Sequence, residues 1–147
     1  MTVLKVDELG YFTKTLICMV GLPYSGKSTI SKRIGVPIVN PDSIRVALHG
    51  QKFYAPAEPM VWAMAKNMVR ALFLAGHDTV VLDATNTTVA RRKEWLSTQW
   101  RTEFYCVPTE VEECINRAIA AGDEDMVEII RYMDAKFEDL EDYELGK

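Results

Sequence analysis

Two hydrophobic rhythms alternate along this chain. Short runs that are apolar throughout, TLICMV at 15–20, PIVN at 37–40, TVVLD at 79–83 and a segment over about 102–107, predict buried strands. Between them lie segments whose apolar residues recur every three or four positions. These predict helices over about 26–34, 41–48, 55–76, 88–99, 110–121 and 125–140. Pro56 and Pro59 suit the first turn of the long 55–76 segment, and Gly76 marks its end. Met60, Met64 and Met68 share one helical stripe there and are expected in the core. Strands that are apolar on both faces need helices on both faces, as parallel sheets have. The pattern therefore predicts an α/β fold of three layers, with a parallel sheet of about four strands.

The segment after the first strand changes the picture. GLPYSGKST, Gly21 to Thr29, fits G-x-x-x-x-G-K-[ST], with Gly21, Gly26, Lys27 and Ser28 in the fixed places. Glycines let such a loop curl its N–H groups toward phosphate oxygens, and the following helix presents its positive end to the same anion. Ser25 and Thr29 complete the loop. Lys27 is placed to reach β- and γ-phosphates, and the Ser28 hydroxyl to ligate Mg²⁺.

In open parallel sheets ligands sit at the carboxyl ends of the strands, which directs attention to the residues after Val20, Val39, Leu82 and Val107. NPDSIR follows the second strand. Asn40 and Pro41 suit a helix cap and first position, Asp42 sits at the helix start, and Arg45 lies one turn later. Asp42 either satisfies the helix dipole or accepts the proton of an attacking hydroxyl. Arg45 beside it is suited to an anionic acceptor or the migrating phosphoryl group. DATN follows the third strand, and Asp83 is placed to support Mg²⁺ or to cap a turn. Asn86 is expected either to bind the acceptor or to cap the helix carrying ARRKEW. Arg91 and Arg92 read mainly as surface or packing charges, with an acceptor phosphate as the other option. His49, Phe53, Tyr54, Glu58 and Trp62 cluster near the mouth of the expected cleft, as base-stacking or substrate groups or as core contacts of the long helix.

Composition bounds these readings. A chain of 147 residues, 48% hydrophobic and 26% charged, is expected to form one globular domain. No apolar run approaches the ~20 residues of a membrane helix, and residues 1–14 lack the apolar core of a signal peptide, so no membrane association and a cytoplasmic location are expected. Cys18, Cys106 and Cys114 have no metal-like spacing; Cys18 and Cys106 are expected reduced and buried. Residues 122–147 carry ten acids and three bases, net −7, leaving +3 of the total −4 for residues 1–121. The acidic tail reads as a solvated helix face, and the mildly basic body permits a local groove rather than tight, sequence-independent binding of long duplexes.

MVGLPYSGKSTIS, VNPDSIR, VVLDATNTTVARRKEW and VEIIRYMDAKFE together resemble the P-loop kinase domain of phage-type polynucleotide kinases, within a wider group of small P-loop kinases and zeta toxins. The resemblance spans residues 15–138. It implies a three-layer P-loop NTPase fold over 1–147, with 1–14 as an N-terminal extension and a lid over about 117–126; as a departure from that family, no phosphatase domain is expected. It also implies ATP and Mg²⁺ held by Lys27 and Ser28, Asp42 as general base for a nucleic-acid 5′-hydroxyl, and Arg45 on acceptor phosphate. Arg117 matches the first lid arginine of that family, but the second falls on Ala121. Either Arg117 acts alone, or Arg131 swings in, or the acceptor site differs. The family includes phage kinases acting on hydroxymethyl groups of modified pyrimidines in DNA. HGQKFYAPAEP departs from the 5′-hydroxyl kinases, so both acceptors stay open.

The expectation is thus an ATP- and Mg²⁺-dependent kinase acting on a nucleic-acid hydroxyl, DNA ahead of RNA. A sugar, nucleoside or antibiotic kinase is the second reading, which the mild acidity suits. A nucleotide-binding ATPase or switch is the third, although no residue suggests itself for positioning an attacking water. Oligomeric state and nucleotide base preference stay open.

Overall fold

The structure is a computed structural model that describes residues 13–146. Most of the expected N-terminal extension, residues 1–12, lies outside the described residues. The strands are β1 (Thr15–Val20), β2 (Ile38–Val39), β3 (Thr79–Leu82) and β4 (Arg101–Cys106). The helices are α1 (Lys27–Ile34), α2 (Pro41–His49), α3 (Glu58–Leu74), α4 (Val89–Lys93), α5 (Val111–Ala120) and α6 (Met126–Lys136). Among the described residues the strands form one parallel sheet in the order β2-β3-β1-β4. No helix among them is long and apolar enough to cross a membrane.

Alternation along β1 divides the core. Leu16 and Cys18 face Val61, Ala65, Val69 and Phe73 of α3, with Ile44 of α2. Ile17 and Met19 face the other way, toward Ile30 and Ile34 of α1. These are the two covered faces of the expected three-layer α/β fold. A third cluster joins Leu22 of the loop after β1 to Cys114, Ile115 and Ala118 of α5 and Ile130 of α6. It anchors the loop from outside the sheet.

Several expectations are corrected. The methionine stripe of α3 faces outward, with Met60 at 59% exposure, because the neighbouring stripe Val61, Ala65, Val69 and Phe73 takes the sheet. Small and β-branched side chains let the helix axis approach the strands more closely than three methionines would. The long helical segment starts as a 3-10 turn, Ala55–Ala57, before α3.

The helix expected over 88–99 stops at Lys93. Trp95 is buried, and its carbonyl accepts both Trp100 Nε1 at 3.1 Å and Thr102 Oγ1 at 2.8 Å, so it cannot continue an i to i+4 ladder. The helix expected over 125–140 stops at Lys136. Phe137 is extended, and Glu138 N–H donates to the Thr87 carbonyl at 2.9 Å.

Most acids of the tail are exposed, Glu128 and Asp134 on α6 among them, as a solvated face requires; beyond Phe137 the chain leaves the helix and folds back. Glu144 is buried and ion-paired to Arg92, and neither side chain is exposed. Arg92 Nη1 also donates to the Asn86 carbonyl and Nη2 to the Asp139 carbonyl. All three cysteines are free thiols; Cys18 and Cys114 are buried, and Cys106, on edge strand β4, is only partly so. Burial raises the Cys18 thiol far above its ordinary range.

Candidate functional site

The loop between β1 and α1 is built to curl. Tyr24 at φ +64° and Gly26 at φ +101° take left-handed backbone, and Ser25 N–H donates to the Leu22 carbonyl at 3.1 Å. A Cβ on Gly21 would stand 2.9 Å from both Ser25 Oγ and the Val107 carbonyl, so only glycine fits. Thr109 Oγ1 fixes the loop from β4's side by donating to the Ser25 carbonyl at 2.7 Å.

Lys27 opens α1 with its side chain drawn back into the loop. Nζ donates to the Leu22 carbonyl at 2.7 Å and to Ser25 Oγ at 3.5 Å. Burial lowers its pKa to about 8, against the opposing pull of Asp83, Cys114 and Asp42. A buried ammonium at the start of a helix, in a curled loop, is suited to a phosphate, whose charge would offset the cost of its burial.

Ser28 Oγ donates to Asp83 Oδ2 at 2.7 Å. This hydroxyl and carboxylate, from the phosphate loop and the end of β3, are hard oxygen donors of the kind Mg²⁺ takes alongside substrate phosphates. Asp83 Oδ2 also accepts Asn40 Nδ2 at 3.2 Å, while Asn40 Oδ1 caps α2 by accepting Ser43 N–H at 3.1 Å. One asparagine thus ties the metal-type dyad to the helix end that presents Asp42. Sequence reasoning read Asn40 as a cap; its second bond has no local signal.

Asp42 is open, its side chain 62% exposed. Arg45 is clamped beside it. Nη1 donates to Asp42 Oδ1 at 2.7 Å, while Nε and Nη2 grip Glu58 at 2.8 and 2.7 Å. The hydrogen bonds from Arg45 hold the Glu58 carboxyl below its ordinary range. Glu58, expected as a substrate contact, instead spends both oxygens on Arg45. Trp62 follows one turn along α3, with the Arg45 guanidinium 5.7 Å and the Arg91 guanidinium 4.0 Å from its ring centre. Arg91 is therefore packed on an aromatic face of this cluster, 29 positions away in sequence.

Asn86 is neither an open acceptor ligand nor the cap of α4. It is 1% exposed at φ +46°, and its amide donates to the Met19 carbonyl at 2.8 Å. Thr88 caps α4 by accepting Arg91 N–H at 3.2 Å. Tyr54 is half exposed and meets His49 edge-on, with ring centres 5.8 Å apart. A cavity of about 390 Å³ lies alongside Asp42, lined by Asn40, Asp42, Ser43, Val46, Ala47 and Lys52.

Arg117 reaches the phosphate loop from α5. Nη1 donates to the Tyr24 carbonyl at 3.1 Å, and Nε to Glu113 at 3.1 Å. Ala121 ends α5, and Arg131 pairs with Glu112 at 3.1 Å on the exposed side of α6. In the turn between α5 and α6, Asp123 accepts Tyr24 Oη at 2.8 Å and lies 3.5 Å from Lys52 Nζ. The Asp123 hydrogen bond raises the Tyr24 pKa. This turn therefore bridges the phosphate loop and the Asp42 side of the cleft.

Comparison with known proteins bears on the family and the fold. The family model described as an AAA domain, AAA_33, matches residues 16–124. No curated protein matches the chain. Among solved structures, a chain of the Pnkp1/Rnl/Hen1 RNA repair complex is similar at TM-score 0.68 and 24% identity, covering 90% of this chain and 48% of its own. A chain of a second Pnkp1/Rnl/Hen1 complex is similar at TM-score 0.64 and 28% identity, covering 71% and 38%. A gluconokinase from Sinorhizobium meliloti 1021 is similar at TM-score 0.60 and 16% identity, covering 88% and 77%. This chain spans less than half the length of the first two, and its fold is that of the P-loop kinases.

Proposed function

We propose, from the premise that this chain belongs to the AAA_33 family of AAA domains, that it transfers the γ-phosphate of ATP to a hydroxyl on a nucleic-acid strand. One observation carries this reading. The Ser28–Asp83 dyad is joined through Asn40 to the helix end that presents the exposed Asp42 carboxylate. A phosphate cradle and an open base therefore share one hydrogen-bonded frame, as in-line transfer between two bound partners requires.

In this reading Gly21, Ser25, Gly26 and Thr29 shape the cradle, and Lys27 with the loop amides binds β- and γ-oxygens. Ser28 and Asp83 would hold Mg²⁺, which when bound offsets charge on the phosphate oxygens. Asp42 takes the proton from the acceptor hydroxyl. The acceptor oxygen forms its bond to phosphorus as the bond to ADP breaks. Arg117, already against the loop, offsets the charge that develops. The turn at Asp123 acts as the lid. The RNA repair setting of the first two similar structures supports a nucleic-acid acceptor over a sugar. The 5′-hydroxyl is the acceptor we favour, on DNA or RNA.

A second reading is favoured by the cavity beside Asp42. Its volume of about 390 Å³ falls in the range of small-ligand sites, so it would suit an extruded hydroxymethyl-pyrimidine or a small alcohol. Labelled ATP distinguishes the cases. Transfer to oligonucleotides with free 5′-hydroxyls is expected. Transfer only to 5′-blocked DNA carrying hydroxymethyl pyrimidines would move the acceptor to the base. Transfer to neither overturns the nucleic-acid reading.

A further inference from the structure

We propose that Arg91, held over the Trp62 ring, takes a phosphate of the acceptor, while Arg45 also positions Asp42. The proposal rests on the kinase reading and names the charged acceptor group that the site selects.

Arg45 is largely committed to carboxylates. Three of its five N–H donors are used, two on Glu58 and one on Asp42, and its side chain is 14% exposed. A phosphate there would compete with a bidentate carboxylate pair, among the stronger contacts a guanidinium makes. Its geometry suits another task, fixing the Asp42 carboxylate against one known neighbour.

Arg91 is the opposite case. Its guanidinium carbon lies over the Trp62 ring, 4.0 Å from the ring centre, a cation–π contact that uses none of its N–H donors in a hydrogen bond. Nη1 donates to Glu94 at 2.8 Å, an exposed i,i+3 pair of the kind worth little. Nε and Nη2 carry no hydrogen bond among the described residues, and the side chain is 34% exposed. The ring contact thus holds the group in advance while donors remain for a ligand.

Charge requires such a group. With Arg45 balanced by Glu58, the open Asp42 needs cationic groups nearby if an anionic strand is to approach. Lys52, in the lining beside Asp42, and Arg91, whose pair with Glu94 is exposed, are those groups. The two guanidiniums share one indole, so they lie within about 10 Å of each other. A nucleic-acid strand carries one charge about every 3.4 Å of axis, so a phosphate near the reacting hydroxyl falls within reach of Arg91.

The test compares the wild type with Arg91→Gln, Arg91→Lys and the charge-matched control Arg70→Gln. Arg70 is exposed on α3, about 12 Å of helix rise beyond Trp62. The acceptors are a 5′-hydroxyl oligothymidylate and thymidine 3′-phosphate. Arg91→Gln is expected to raise the oligothymidylate KM about tenfold and to flatten its salt dependence by about one charge, with the loss falling on KM rather than kcat. Lysine should restore part of the loss. A loss with both acceptors places the contact on the phosphate nearest the hydroxyl, and a loss with the oligonucleotide alone places it further along the strand. An unchanged KM and salt slope, or an equal loss in Arg70→Gln, overturns the proposal. If the wild type phosphorylates neither acceptor, the 5′-hydroxyl reading fails on its own. Fluorescence anisotropy of labelled oligothymidylate then decides the subsite, since equal affinity of Arg91→Gln and Arg70→Gln overturns it.

Discussion

Ser28 Oγ lies 2.7 Å from Asp83 Oδ2, so the phosphate loop and the end of β3 meet through one hydrogen bond. If the pair holds Mg²⁺, either side chain should prove necessary for turnover without being necessary for folding. Ser28→Ala and Asp83→Asn are expected to lower kcat about 10²–10³-fold. Titration of kcat with Mg²⁺ checks this; a variant with wild-type metal dependence would remove the dyad from the metal site.

Asp42 stands apart from its helix cap in a testable way. Asn40 already caps α2, so Asp42 is not needed for that purpose. Asp42→Asn should reduce turnover about 10²–10⁴-fold, the usual contribution of a general base, while nucleotide affinity is unchanged. Substantial residual turnover would reduce Asp42 to a dipole partner.

Lys27 links pH to both binding and stability. Its folded pKa is lowered to about 8, below the ordinary lysine value of 10.5. Between these values the unfolded chain binds more protons, so this group makes stability rise as pH increases from about 8 toward 10.5. Nucleotide binding should run the other way, because phosphate favours the ammonium. Affinity is expected to fall above pH ~8, with uptake of up to one proton on binding. Calorimetry in buffers of different ionisation enthalpy measures that uptake, and Lys27→Met should abolish it.

Arg92 and Glu144 form an ion pair with both side chains fully buried. Removing one partner leaves an uncompensated buried charge. Glu144→Ala is therefore expected to cost about 3–5 kcal/mol and to lower Tm by roughly 10 °C. A Tm within about 2 °C of the wild type would show that the tail contributes little to the fold.

Much of the architecture could be read along the chain. β1 falls on the run TLICMV, and the loop after it carries glycine where a Cβ would strike Ser25 and a backbone carbonyl. Less legible was where a helix ends. The periodicity of 88–99 is helical, yet the Trp95 carbonyl is taken by Trp100 and Thr102, partners that only the arrival of β4 supplies. The methionine stripe misled because Met60, Met64 and Met68 recur at the same spacing as Val61, Ala65 and Val69. Periodicity identifies an apolar side of a helix, not which of two adjacent stripes is narrow enough for the sheet.

The sequence by itself determined the parallel α/β plan and the phosphate loop, because both depend on neighbours a few residues apart: apolar period, glycine conformation, and a lysine and a serine at a helix start. Only the tertiary structure decided the pairings across the cleft. Arg91 meets Trp62, Arg45 meets Glu58, Asn40 meets Asp83, and Arg92 meets Glu144. A charged side chain has many possible partners of suitable chemistry, and its choice depends on which strand ends the sheet order brings together and which pairs it withdraws from water.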